Sequence, residues 1–291
     1  MRDNLIRKIV FGLGEKLLPR LSMGEANNLI YKSLMDDQPL MLGRLGAVEV
    51  KCILYGMFPF KYSLFLRRYV KKHAHNNAGF FPMDRESFRR FKDLMLADMR
   101  ELDILATWRP EELLFKKQLR GSRKIPRDIL FVYDHPMYWS RALEGKKVLV
   151  VHPFVETIEK QYKERRELLF KNEKVLPEFA SFQVIKAVQT AAGNTVGFDS
   201  WFDALEYMKA EIAKCDFDVC LLACGAYGIP LAAHIKRMGK KAVHMGGSMQ
   251  LLFGVIGKRW ERYPMRNKYW VRPSASERPK GFNLIEDGCY W

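Results

Sequence analysis

Strand-length apolar runs that alternate with helix-length amphipathic stretches predict a doubly wound α/β fold. Its sheet is expected to be largely parallel, with a helical, basic N-terminal portion. Two observations carry this. From residue 147 onward the two periods alternate almost without interruption, as they do when parallel strands are joined by crossover helices on both faces. Several of the apolar runs also lead directly into glycine-containing turns that open a helix. The 291 residues, 48% hydrophobic and 28% charged, can bury one large core. No repeat, low-complexity tract or flexible linker divides them, so a single domain over 1–291 is expected, with a soft boundary near Gly145.

Residues 3–18 read as an amphipathic helix with Leu5, Ile6, Ile9, Val10, Leu13 and Leu17 near one face, closed by Pro19. A helix at 24–35, a strand at 40–42 and a helix from Ala47 follow. Residues 58–83 interleave aromatic and basic side chains. Helix resumes at 85–102, then a strand (104–107), a helix (110–119) and a strand (129–133). The second half reads as strand 147–152, helix 153–170 and a strand within 182–188. Next comes a helix capped by Asp199 or Ser200, with Trp201, Leu205, Met208 and Ile212 as its buried stripe. Strand 218–224, helix 229–238, strand 241–245 and a helix from Ser248 complete the pattern.

The formal net charge is +16, and residues 1–150 hold +11 of it. Such an excess suits an anionic partner, whether phosphate, nucleic acid or an acidic membrane surface, although general solubility explains it equally well. The five cysteines are odd in number and lack C-x-x-C spacing, which argues against a disulfide framework or a zinc site. Arg7, Lys8, Glu15 and Lys16 interrupt any leader-like run, and Gly225, Gly228 and Pro230 break the longest uncharged stretch. A cytoplasmic protein that does not span a membrane is expected, with peripheral contact at an anionic inner face as an option.

In a doubly wound sheet, ligands lie beyond the carboxyl ends of the strands. Three turns belong there. Gly225, Tyr227 and Gly228 precede Pro230, which suits a first helical turn, and the two glycines allow backbone amides to approach a phosphate. Gly246, Gly247, Ser248 and Gln250 repeat the arrangement, with Ser248 expected to cap the next helix. At the first junction, Arg44 offers a bidentate fork for phosphate beside Gly46, and Glu49 can hold a metal or a sugar hydroxyl. Plain capped turns would explain the same residues. Asp216-Phe217-Asp218 resembles a metal-binding D-x-D, but it precedes its strand and so belongs at the opposite end of the sheet. His152 and His244 end strands on the ligand side, and His234 lies within a helix. No Ser-His-Asp set, H-E-x-x-H or G-x-G-x-x-G is present.

Arg44-x-Gly46-x-x-Glu49, the run 148–154, the C-G-A-Y-G-I-P segment at 224–230, H-M-G-G-S-M-Q at 244–250 and the terminal G-C-Y-W together resemble the GT-D-fold glycosyltransferases, bacterial enzymes of polysaccharide and protein-glycan assembly. The resemblance covers most of the chain. It implies a Rossmann-like fold, a nucleotide-sugar donor such as a UDP-hexose, and often Mn²⁺ or Mg²⁺. The family motif carries an Asp-x-Glu pair, whereas this chain has Ala47 at the Asp position and keeps only Glu49. Sugar transfer needs a stabilised diphosphate and a base for the acceptor hydroxyl, for which Glu49, Asp134 and His152 are the candidates. The acceptor is expected to be a glycan, or to be lipid-linked or protein-linked. Two other readings remain. A non-catalytic scaffold fits the loss at Ala47, and a nucleic-acid binder fits the charge, but no helix-turn-helix or RNP signature accompanies it.

Overall fold

The computed structural model describes residues 20–58, 64–132 and 137–291. The predicted helix at 3–18, residues 59–63 of the aromatic-basic run, and Asp134 lie outside these. Apolar runs at Leu40–Gly43 (β1), Lys147–His152 (β4), Val219–Leu222 (β6) and Lys241–His244 (β7) become strands because almost every residue in them is buried. With Ile104–Thr107 (β2), Arg123–Pro126 (β3) and Ser181–Lys186 (β5) they form one seven-stranded sheet in the order β3-β2-β1-β7-β6-β4-β5. Every pairing is parallel: Leu40 meets Lys241, Val219 meets Lys241, and Val148 meets both Val219 and Phe182. The fold is therefore a doubly wound, Rossmann-like α/β arrangement. Gly145 lies just before β4, within a sheet that draws strands from both sides of that position.

Alternation along the strands feeds two cores. Leu42, Val148, Val150, Leu221 and Val243 face one layer, formed by Met23–Met35 (α1), Val155–Arg165 (α5), Met249–Leu252 (α8) and the C-terminal segment. Met41, Leu149, Val151, Cys220 and Ala242 face the other. That layer contains Ala47–Met57 (α2), Leu64–Asn76 (α3), Arg85–Asp98 (α4), Trp201–Ala213 (α6) and Gly228–Arg237 (α7).

Local signals fix the helix starts. Ser22 and Glu25 form a reciprocal capping box on α1. Ser200 Oγ accepts from the Asp203 amide, 3.2 Å away, and begins α6. The α6 stripe Trp201, Leu205, Met208 and Ile212 is fully buried, as its spacing predicts. Each such side chain contributes roughly 1.5–3 kcal/mol. At the amino ends of the strands, Asp218 accepts from the Lys147 amide at 2.9 Å, and Asp216 pairs with the Lys147 ammonium at 2.5 Å. The D-x-D lookalike thus ties β6 to β4.

Several elements differ from the sequence reading. Of the strand expected at 129–133, residue 133 lies outside the described residues and 129–132 are not a strand: Arg127–Leu130 forms a 3-10 turn with Ile129 and Leu130 buried, and the edge strand β3 precedes it. Pro126 closes that strand, a position where its missing N–H does no harm. The helix expected at 110–119 is a 3-10 turn over Pro110–Phe115. The aromatic-basic run contains α3, which its pattern did not announce. The helix after Ser248 shrinks to α8, because Gly254 takes a left-handed φ of 63° and a side chain there would strike Leu169.

Candidate functional site

The connections after β1 and β6 enter helices on one face of the sheet, α2 and α7. Those after β4 and β7 enter helices on the other, α5 and α8. Neighbouring strands β1/β7 and β6/β4 therefore send their chains apart at the carboxyl ends, which opens a crevice. A cleft of about 680 Å³ occupies it. Arg44, Gly46, Glu49, His152, Gly225, Tyr227, Gly246, Gly247, Ser248 and Gln250, all singled out from the sequence, line this one cleft.

Arg44 leaves β1 and lays its guanidinium over Gly246. A Cβ at Gly246 would stand 2.2 Å from Nη2, and the backbone there has a left-handed φ of 64°. Among the described residues, Arg44 forms no hydrogen bond or ion pair with protein. Tyr290 closes on the neighbouring glycine in the same way: its ring lies 2.5 Å from a notional Gly247 Cβ. Gln250 Nε2 donates to the Tyr290 carbonyl at 3.3 Å and to the Val255 carbonyl at 3.2 Å, fastening the C-terminal segment to this loop. Ser248 does not cap the next helix. Its Oγ donates to the Met245 carbonyl at 3.0 Å and stiffens the glycine turn itself.

Glu49 folds its carboxylate back over Gly46, the N-cap of α2, where a side chain would lie 1.8 Å from Oε2. Burial raises the Glu49 pKa above the usual carboxylate value. Arg44 and the local backbone amides offset part of this, and the nearby Glu286 adds to it. The group keeps some open surface toward the cleft although its carboxyl lies deep.

His152 is buried and its pKa is depressed to about 3, with burial as the cause. Its Nδ1 accepts from the Phe154 amide at 2.9 Å, so the neutral ring carries its proton on Nε2. In that tautomer Nε2 is a hydrogen-bond donor. His244 is also neutral, with a pKa of about 3 set by burial and by Arg44, and it packs behind the cleft. Gly228 stands against that ring, where a Cβ would come within 2.1 Å of Cε1, so it serves packing and is not a lining residue. Tyr227 donates to or accepts from Thr190 at 2.7 Å and stacks on Trp201 at 4.6 Å.

The C-terminal segment contributes residues that the sequence did not flag. Glu286 and Asp287 adopt left-handed φ values of 46° and 57°, which cost on the order of 1–3 kcal/mol each in non-glycine residues. Arg259 pairs with the Glu286 carboxylate, Tyr290 OH donates to it at 3.1 Å, and the Glu286 amide donates to Asn77 at 3.3 Å. Trp108 reaches the cleft through an indole N–H bond of 2.8 Å to the Leu45 carbonyl, and Arg127 lies 4.7 Å over its ring. Apart from the terminal G-C-Y-W, which includes Tyr290, no local pattern marks these residues. Only the two consecutive strained positions betray them, and that requires the structure.

A divalent cation fits this donor set poorly. Among the described residues no group of three His, Cys, Asp or Glu converges, Glu49 lies beside a guanidinium, and the Glu286 carboxylate is already engaged. Comparison with protein-family models, curated proteins and solved structures gave no match to this chain.

Proposed function

We propose that the chain binds a nucleotide-sugar donor, of the UDP-hexose class, in this cleft and transfers the sugar to a glycan, lipid-linked or protein-linked acceptor. The observation that best supports this is the Arg44 guanidinium, which forms no hydrogen bond or ion pair among the described residues, set over the Gly246–Gly247 turn as a cationic fork lining the cleft at a parallel-sheet switch point. A diphosphate offers paired oxygens that the planar guanidinium can hold bidentately. In the reaction, an acceptor hydroxyl attacks the anomeric carbon, the bond from that carbon to the diphosphate oxygen breaks, and the nucleoside diphosphate departs. Arg44 stabilises the charge that develops on it. Glu49, with its raised pKa, takes the hydroxyl proton, and His152 Nε2 donates a hydrogen bond to the bound sugar or phosphate.

A thermal-shift panel of nucleotides and nucleotide sugars, followed by a transfer assay with the best binder, tests the reading. Stabilisation by a nucleoside diphosphate and its sugar, with turnover, is expected. Binding without turnover or donor hydrolysis would leave a non-catalytic nucleotide-binding protein. Salt-sensitive binding to arbitrary DNA with no nucleotide response would replace the proposal altogether.

A further inference from the structure

Helix α3 has two polar faces with different surroundings. Val70 and Ala74 anchor it in the core, and Tyr69, His73 and Asn77 turn toward the cleft, where Lys51 donates to the Tyr69 hydroxyl at 3.2 Å. On the outside, Leu64, Arg67, Arg68 and Lys71 follow one another at helical spacing. With Tyr55 and Arg85 they line a separate groove of about 370 Å³. The helix contains no acidic residue, and Arg67 keeps a buried Nε without a hydrogen-bond partner among the described residues. Leu64, 77% exposed, stands among these cations, and Met57 and Phe58, which follow the groove-lining Tyr55 at the end of α2, are 36% and 43% exposed.

Cations alone suit any polyanion. Cations interleaved with exposed Leu, Phe and Met suit an interface that offers negative headgroups above an apolar interior, and a nucleic-acid backbone has no use for the apolar part. We propose that the outer face of α3, together with the exposed end of α2, seats the protein on an anionic lipid surface. The cleft lies on the other side of the same helix, so its mouth opens beside the headgroups and the acceptor is lipid-linked. That last step rests on the sugar-transfer reading above, whereas the docking itself does not.

Flotation of the full chain with phosphatidylcholine vesicles, with and without phosphatidylglycerol, tests the docking. Enrichment on the anionic vesicles is expected, fading as salt rises. Arg68→Gln with Lys71→Gln should lower the partition about thirty-fold. Leu64→Ser should lower it severalfold while leaving retention on heparin unchanged. All three side chains lie outside the core, and unchanged thermal midpoints would show that the variants fold. No preference for anionic vesicles, or wild-type flotation by both variants, would overturn the proposal. So would a Leu64→Ser variant that floats normally while the double variant loses duplex DNA. Nucleotide-sugar binding measured in solution keeps the two ideas apart: failed flotation with intact donor binding overturns the docking alone, and flotation without donor binding overturns the transfer reading alone.

Discussion

Arg44 and Gly246 come from opposite ends of the chain, yet the guanidinium of one fills the volume that a side chain on the other would need, with 2.2 Å from the notional Cβ to Nη2. The contact makes the glycine and the arginine a single feature. Arg44→Lys keeps the charge but loses the fork. It should weaken binding of the nucleoside diphosphate about tenfold or more in calorimetry, with a thermal midpoint close to wild type because Arg44 bonds to no described residue. Gly246→Ala should weaken the same binding by displacing the guanidinium. Unchanged affinity in both would detach Arg44 from the ligand.

Gly228 should behave differently, although it belongs to an equally conspicuous glycine turn. Gly228→Val drives a branched side chain into the His244 ring inside the core. Overpacking of this kind costs about 1–3 kcal/mol or more. Denaturant unfolding should show that loss, and ligand affinity per folded molecule should stay near wild type. A selective loss of affinity would return Gly228 to the binding surface.

Glu49→Gln should cut turnover on the order of a hundredfold or more while helping the fold at neutral pH. The sign follows from the raised carboxyl pKa. A folded state that holds its proton more tightly than the unfolded chain loses stability as pH rises through the raised value, and an uncharged amide escapes that loss. The midpoint gain over wild type should therefore shrink in acid. Near wild-type turnover of Glu49→Gln, with or without Mn²⁺, would remove Glu49 from catalysis.

Glu112 offers a cleaner titration. It bonds to Thr107 and to the Trp108 and Arg109 amides, and burial pushes its pKa up to about 7 from the usual 4.5. The stability it contributes is complete below pH 4.5 and is lost as pH rises through 7. The stability difference between wild type and Glu112→Gln should move in favour of the variant between pH 5 and pH 8 in thermal scans. A constant difference would mean that Glu112 is ionised throughout. Trp108 should respond as well, because Glu112 holds its backbone beside the cleft.

His152 and His244 titrate in the opposite sense. Both have folded pKa values of about 3, below the 6.5 of a free imidazole, so acid favours the unfolded chain from about pH 6.5 downward. Nitrogen-detected NMR should find His152 neutral with Nε2 protonated at pH 5. A charged ring at that pH would reopen its candidacy as a proton-transfer group.

What could be read in advance follows from locality. β4, β6 and β7 carry continuous apolar runs, and α6 carries both a cap and a stripe, so each announces itself within a dozen residues. Edge strand β3 reads Arg-Lys-Ile-Pro with only its last two residues buried, which leaves no apolar run to recognise. Helix α3 hides for a similar reason, since among its described side chains only Val70 and Ala74 are buried. The glycine turns and the Arg44/Glu49 pair were visible because strand, turn and helix follow directly in sequence. Glu286, Arg259 and Tyr290 reach the cleft only because a segment with little regular structure wraps back over it, and apart from the terminal G-C-Y-W nothing near them in sequence signals where they end up.

The sheet order also has a kinetic consequence. β7 is the last strand in the chain, yet it lies between β1 and β6, with the three-stranded sets β3-β2-β1 and β6-β4-β5 on either side. Until it is in place, those sets share no backbone hydrogen bonds, and each exposes a fully apolar inner edge. A chain still emerging from the ribosome would thus hold two incomplete half-sheets, and one late, long-range insertion must join them into a whole. The keystone strand also delivers Gly246 to Arg44, so ligand-binding competence and the completed fold should appear together in a refolding experiment.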